Sequence, residues 1–253
     1  MTNNIYAVDL TMVIKRLTGS TLVLFLLCIS FKTAAFGVVI DEKEFSQLQR
    51  HCQLFYASTS IGRRLGYAAR FSESELKQAN KVADQAGGAW HYCAGLVHLK
   101  RAQQTADKNV QQSNYKRALA EIAFTSRNIK PDSQYFGEVQ LNMARALFSV
   151  NEHEKSAVLL RNLIQEAPNY LPAYIESARQ VDKQGKTPEA IVILNSAPES
   201  FKRKSADLNY FLGIYYLKVR DFENAKRHAR IAYANGYPLP GLKNMLAKQG
   251  HSL

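Results

Sequence analysis

Two clusters in the first hundred residues carry side chains able to bind a metal or exchange electrons: His51-Cys52 and His91-Tyr92-Cys93. Two imidazoles and two thiolates are the donor set of a tetrahedral zinc site. Neighbouring residues on a helix point about 100° apart, so His51 and Cys52 are poorly placed to share one ion. The expectation is therefore no metal and no cofactor, with these histidines at the surface beside the cysteines. Two readings of the cysteines stand. They form one disulfide, or they are buried free thiols packing as small apolar side chains. A bond between them would close a loop of about 40 residues and contribute about 3–4 kcal/mol.

Other reactive residue types have plainer explanations. His153 and His228 fall near turns or on outward helix faces and are expected to be solvated. Acidic groups such as Asp41, Glu42 and Glu44, or Glu152 and Glu154, sit at helix starts, where they complement the helix dipole. The chain has no G-x-S-x-G, no H-E-x-x-H and no phosphate-binding glycine loop. No catalytic residue is expected, and the chain reads as a non-enzyme.

The 253 residues carry 33 basic and 21 acidic side chains, a formal charge of +12. Such an excess favours polyanionic partners. The basic residues are spread along the chain, with Lys202-Arg203-Lys204 as a run of three. The bias therefore reads as a surface property, and nucleic acid is not an expected partner.

The N-terminus bears on compartment. Lys15 and Arg16 precede the apolar stretch LTGSTLVLFLLCIS, and Thr33-Ala34-Ala35 follow. Basic, apolar and small segments in that order describe a secretory signal peptide over residues 1–35. Leu27 before Cys28 argues against lipidation. The alternative is an uncleaved anchor. Either way, residues from about Phe36 onward are expected beyond a membrane, in the periplasm. Cleavage leaves 30 basic residues (33 less three) and 20 acidic ones (21 less one), hence +10. The compartment favours a bonded Cys52–Cys93 pair.

Helical periodicity runs through nearly everything after residue 40. Phe45, Leu48, Cys52 and Phe55 share one helical face. Ser72 and Glu75 form a capping box that opens a helix ended by Gly87-Gly88. The fold class is all-α, with residues 36–86 as a helical N-terminal extension. From residue 87 to 237 the pattern repeats. Ala144, Ala178 and Gly213 align at spacings of 34 and 35. Leu147, Val181 and Tyr216 follow three residues later, and Ser156, Ala190 and Ala225 twelve residues later. Leu160, Leu194 and Ala229, then Leu163, Ala197 and Ala232, complete the columns. A helix-turn-helix unit of about 34 residues has this period. Thr187 and Asp221 read as N-caps of second helices, and Pro188 as a first-turn proline.

These columns resemble the tetratricopeptide repeat family, carried by Leu212-Gly213, Tyr216, Ala225 and Ala232, by Ala190 and Ala197, and by Pro168. The resemblance implies a right-handed superhelical array of about four units. The first unit is degenerate, because Ala94 and Ala118 lie 24 residues apart where the others have 12. Residues 238–253 form a capping helix with Leu242, Met245 and Leu246 inward. In the family, the first helix of each unit lines a concave groove that holds a peptide or partner helix. Carried over, the lining residues would be Leu141, Arg145, Phe148, Ile175, Arg179, Asp182, Tyr210, Ile214 and Leu217. The implied function is a binding scaffold for a protein or peptide partner in assembly of an envelope machine, such as a pilus, secretion system or polysaccharide exporter. Two alternatives stay open: a cell-wall-acting enzyme or its accessory subunit, and a membrane-anchored subunit of an envelope complex.

Overall fold

The computed structural model describes residues 37–253. The expected signal segment, 1–35, lies outside the described residues. Among the described residues there are fourteen α-helices and no strand. They are α1 (Glu42–Ser46), α2 (Arg50–Ser58), α3 (Ser60–Arg64), α4 (Glu73–Gln85), α5 (Ala89–Gln104), α6 (Lys108–Asn128) and α7 (Phe136–Ser149). Then come α8 (His153–Glu166), α9 (Leu171–Lys183), α10 (Thr187–Asn195), α11 (Glu199–Lys204), α12 (Ala206–Lys218), α13 (Phe222–Ala234) and α14 (Gly241–Lys248). None of these is long and apolar enough to cross a membrane.

Local chemistry sets most boundaries. Ser72 accepts from the backbone of Glu75, whose side chain reaches back to Ser72, so the capping box forms at α4. Gly87 and Gly88 both adopt positive φ, a conformation that costs a glycine little, and they separate α4 from α5. Asp221 caps α13 through the backbone N–H of Asn224. Thr187 does not cap α10. It stands inside the helix, and its hydroxyl donates to Asp182 at 2.8 Å.

The expected continuous helix through Phe45 and Phe55 is broken at Gln47–Gln49. The break sends Phe45 into one cluster with Tyr56, Tyr67 and Leu76, stacked on Tyr67 at 4.1 Å. Cys52 and Phe55 enter another with Tyr92, Cys93 and Ile122. One apolar stripe therefore serves two cores. Arg101 on α5 reinforces the first through Glu44, with contacts of 2.6 and 2.7 Å. A disulfide joins Cys52 on α2 to Cys93 on α5, with Cα atoms 5.4 Å apart.

Helices α5/α6, α7/α8, α9/α10 and α12/α13 pair as hairpins. Successive first helices also touch one another: α5 meets α7, α7 meets α9, and α9 meets α12. Each second helix also packs against the first helix of the next hairpin: α6 on α7, α8 on α9 and α10 on α12. Helix α14 closes the last hairpin with Leu242 and Leu246 fully buried. Met245, expected inward, is 37% exposed and borders a hollow with Ile214 and Leu217.

His228 is a second departure. It is buried on α13, not solvated, and its Nδ1 pairs with Asn209 Oδ1 at 2.7 Å. Its ring stacks on Tyr216. Burial, aided by the Arg227 guanidinium, lowers its pKa to about 4. His153, also expected to be solvated, is half-buried with its ring on Phe148 at 4.4 Å.

Two predictions follow from this packing. The Cys52–Cys93 bond spans 41 residues, so its removal by Cys52→Ser/Cys93→Ser is expected to lower the unfolding free energy by about 4 kcal/mol. Urea titration measures the change, and a loss below about 1 kcal/mol would contradict the loop-entropy argument. For His228, the folded pKa lies below the usual value of about 6.5. The unfolded chain therefore binds more protons at acid pH. The neutral-histidine contribution should be complete above pH 6.5 and lost as pH falls toward 4. Urea midpoints across that window should fall less steeply for His228→Gln than for the wild type. Parallel curves would show that the imidazole charges in the fold without cost.

Candidate binding cleft

A cleft of about 540 Å³ runs across α5, α7 and α9. Leu96, Leu99 and Lys100 come from α5, Arg145 and Phe148 from α7, and Glu176, Arg179 and Lys183 from α9. Each helix contributes because first helices lie side by side, and residues three or four apart on each share a face.

Glu176 organises the cleft. Its side chain is 6% exposed, and one oxygen, Oε2, accepts from Arg145 Nε at 2.9 Å and from Arg179 Nη1 at 2.8 Å. The other, Oε1, accepts from Gln180 at 3.2 Å, and Gln180 in turn accepts from Ser156 at 2.7 Å. Arg145 also donates to Asn142 Oδ1. Asn142 donates to the Tyr92 hydroxyl at 2.8 Å, and that hydroxyl donates to Glu138 at 2.7 Å. Burial and the nearby Glu138 carboxylate push the Tyr92 pKa upward, which keeps it a neutral donor. A chain of hydrogen bonds thus crosses α5, α7, α9 and α8.

Both arginines are partly exposed, with side chains at 40% and 38%, while their shared carboxylate is buried. Both guanidiniums border the cleft. Lys183 reaches the Phe148 ring at 5.7 Å. Four cations, Lys100, Arg145, Arg179 and Lys183, thus stand against one carboxylate, Glu176, beside aromatic and aliphatic surface.

The nine residues expected to line one groove divide among several places. Arg145, Phe148 and Arg179 share this cleft. Leu141 is buried in the α7/α8 core and borders a neighbouring hollow with Tyr170. Ile175 packs into the α9/α10/α12 core. Asp182 is engaged, pairing with Lys218 at 2.5 Å and with Thr187. Ile214 and Leu217 line a separate hollow of about 340 Å³ with Arg220, Met245 and Lys248. Tyr210 is removed from any groove. It stacks on Tyr237 at 3.7 Å and lies beneath the chain leading to α14. The segment leading to α14 covers the face that Tyr210 would otherwise present.

Sequence reasoning missed Glu176, Lys100 and Lys183. Glu176 and Lys183 lie three residues before and four after Arg179, spacings that place them on its face. Lys100 carried no such cue, because the first hairpin departs from the common spacing.

No protein family matches the chain, and no curated protein or solved structure matches it.

Glu176→Gln leaves both guanidiniums without their anion but keeps side-chain volume. It is expected to cost about 1–3 kcal/mol, below the value for a fully buried pair because the arginines are part-exposed. Double-mutant cycles of Glu176→Gln with Arg145→Gln, read by urea unfolding, should give a coupling energy above about 0.5 kcal/mol. Additive losses would mean that Glu176 contributes by packing alone.

Proposed function

We propose that this chain is a non-catalytic, exported scaffold whose paired helices form a tetratricopeptide-like superhelical array, and that it holds an acidic segment of a protein partner across α5, α7 and α9. The single observation that carries this reading is the composition of the cleft. Three successive first helices place four cations and one carboxylate around Phe148, Leu96 and Leu99. Arginine and aromatic side chains in a partly desolvated depression are the groups that dominate binding energy at interfaces. The excess positive charge steers an acidic partner and selects against basic ones. The signal-like N-terminus and the Cys52–Cys93 bond support a periplasmic setting, with a retained anchor as the alternative. A role in assembling an envelope machine accords with both.

Crosslinking and affinity capture from the native cell envelope test the reading. Arg145→Glu/Arg179→Glu and, separately, Lys100→Glu/Lys183→Glu are compared with wild type, with helical circular dichroism as the folding control. The second pair leaves the Glu176 network intact. The same partner should be recovered at least about tenfold less with each variant, and less from wild type as salt rises. Full recovery with folded Lys100→Glu/Lys183→Glu would remove the cleft from the function. Recovery of glycan without protein would favour a cell-wall role.

A further inference from the structure

A second site lies apart from the cleft, where α2 meets α5. One ligand atom each from His51, Cys52 and Cys93 lies within 4.8 Å of the others. Adjacent positions on a helix would be expected to separate His51 from Cys52, yet a ring nitrogen of His51 lies within 4.8 Å of both sulfurs. The ring is held by Tyr135 at 5.0 Å and by the edge of Phe55 at 5.7 Å. Its Nε2 is buried and has no hydrogen-bond partner in the protein. Buried ring nitrogens ordinarily find one, so this atom needs an explanation.

Aromatic and aliphatic side chains surround the cluster, and both cysteines are fully buried. Two thiolates and an imidazole in such a setting suit a soft ion, because thiolates select Cu+ and Zn2+ over hard cations. Three ligands within 4.8 Å can surround one ion at ordinary metal–sulfur and metal–nitrogen distances of about 2.0–2.3 Å once the sulfurs part. Zn2+ in a closed structural site takes four ligands, whereas Cu+ is satisfied by three. The trio therefore fits Cu+ better.

We infer that the reduced Cys52–Cys93 pair, together with His51, forms a three-ligand site for Cu+, so that the same two sulfurs hold either each other or the metal. A dithiol reductant supplies two electrons and two protons to the S–S bond, giving two thiols while itself becoming a disulfide. Cu+ then displaces both thiol protons and takes the His51 lone pair, with no change in copper oxidation state. Oxidation of the pair by a disulfide oxidant releases the ion.

The test uses the full chain under anaerobic conditions, with Cu+ supplied against a colorimetric Cu+ chelator. The reduced wild type should withdraw one equivalent, the oxidised protein none, and reduced His51→Ala should bind at least about tenfold more weakly. Cu+ should also raise the melting temperature of the reduced wild type and not that of reduced His51→Ala. If reduction alone melts the helices, Cu+ should restore the helical dichroism of wild type but not of His51→Ala. Equal binding by oxidised and reduced protein, unaltered affinity in His51→Ala, or preference for Zn2+ over Cu+ would overturn the assignment.

Discussion

Close approach between helices at small residues is the constraint on which the other features depend. Ala118, Ala144, Ala178, Ala190, Ala225 and Ala229 are completely buried at the seams. At two crossings even a methyl group would force a neighbouring side chain to move. A Cβ at Gly95 would overlap Ile122 and approach Ala118 O at 3.1 Å. One at Gly213 would overlap Leu242, with Ala225 O at 3.4 Å. Helices drawn this close bury the larger residues of neighbouring turns, Leu160, Leu163 and Leu194 among them. No hairpin can bury its second face alone, so each depends on the next, and α14 is needed to cover the last.

That constraint explains what could be read from the chain and what could not. Small residues at a fixed period survive as a one-dimensional signal, so the hairpins from residue 138 onward were legible, as were the caps at Ser72 and Asp221. The first hairpin was harder. Its close contact is made by Gly95, one residue beyond Ala94, and faces Ala118 at a separation of 23. The eleven residues beyond the common spacing of 12 are about three helical turns, so the longer arms return to the same face. Reading Ala94 as the seam shifts the register by one position, or about 100° around the helix. The break at Gln47–Gln49 was hidden for a related reason. A stripe at helical spacing is satisfied equally by one helix or by two short ones feeding different cores.

Polar residues were the least legible, because their fate depends on neighbours distant in sequence. His228 looks solvated from its place on an amphipathic helix, yet Asn209, Tyr216 and Arg227 enclose it. Asn209 is itself fully buried, and its amide spans the backbone carbonyls of Lys202 and Ser205. The histidine thus completes a network that ties α11, α12 and α13 together. The groove residues divide in the same manner. Arg145 and Arg179 were legible as cations on first-helix faces, and Glu176 lies three residues before Arg179, but its bond to Arg145 crosses between hairpins and leaves no cue in the sequence.

The buried polar residues on the first helices are concentrated where the cleft lies. Gln140 and Asn142 on α7 and Glu176, Ser177 and Gln180 on α9 are all buried, and most join the network that ends at the guanidiniums bordering the cleft. Buried polar groups cost stability unless satisfied, so a seam built from alanine and leucine alone would be simpler. What the network adds is a fixed orientation for two charged side chains that would otherwise lose several rotatable bonds on engaging a ligand. Glu176 carries one negative charge against the four cations that line the cleft. The seam chemistry that joins α7 to α9 is therefore also what presents the cationic surface, and a change in either would be felt by both.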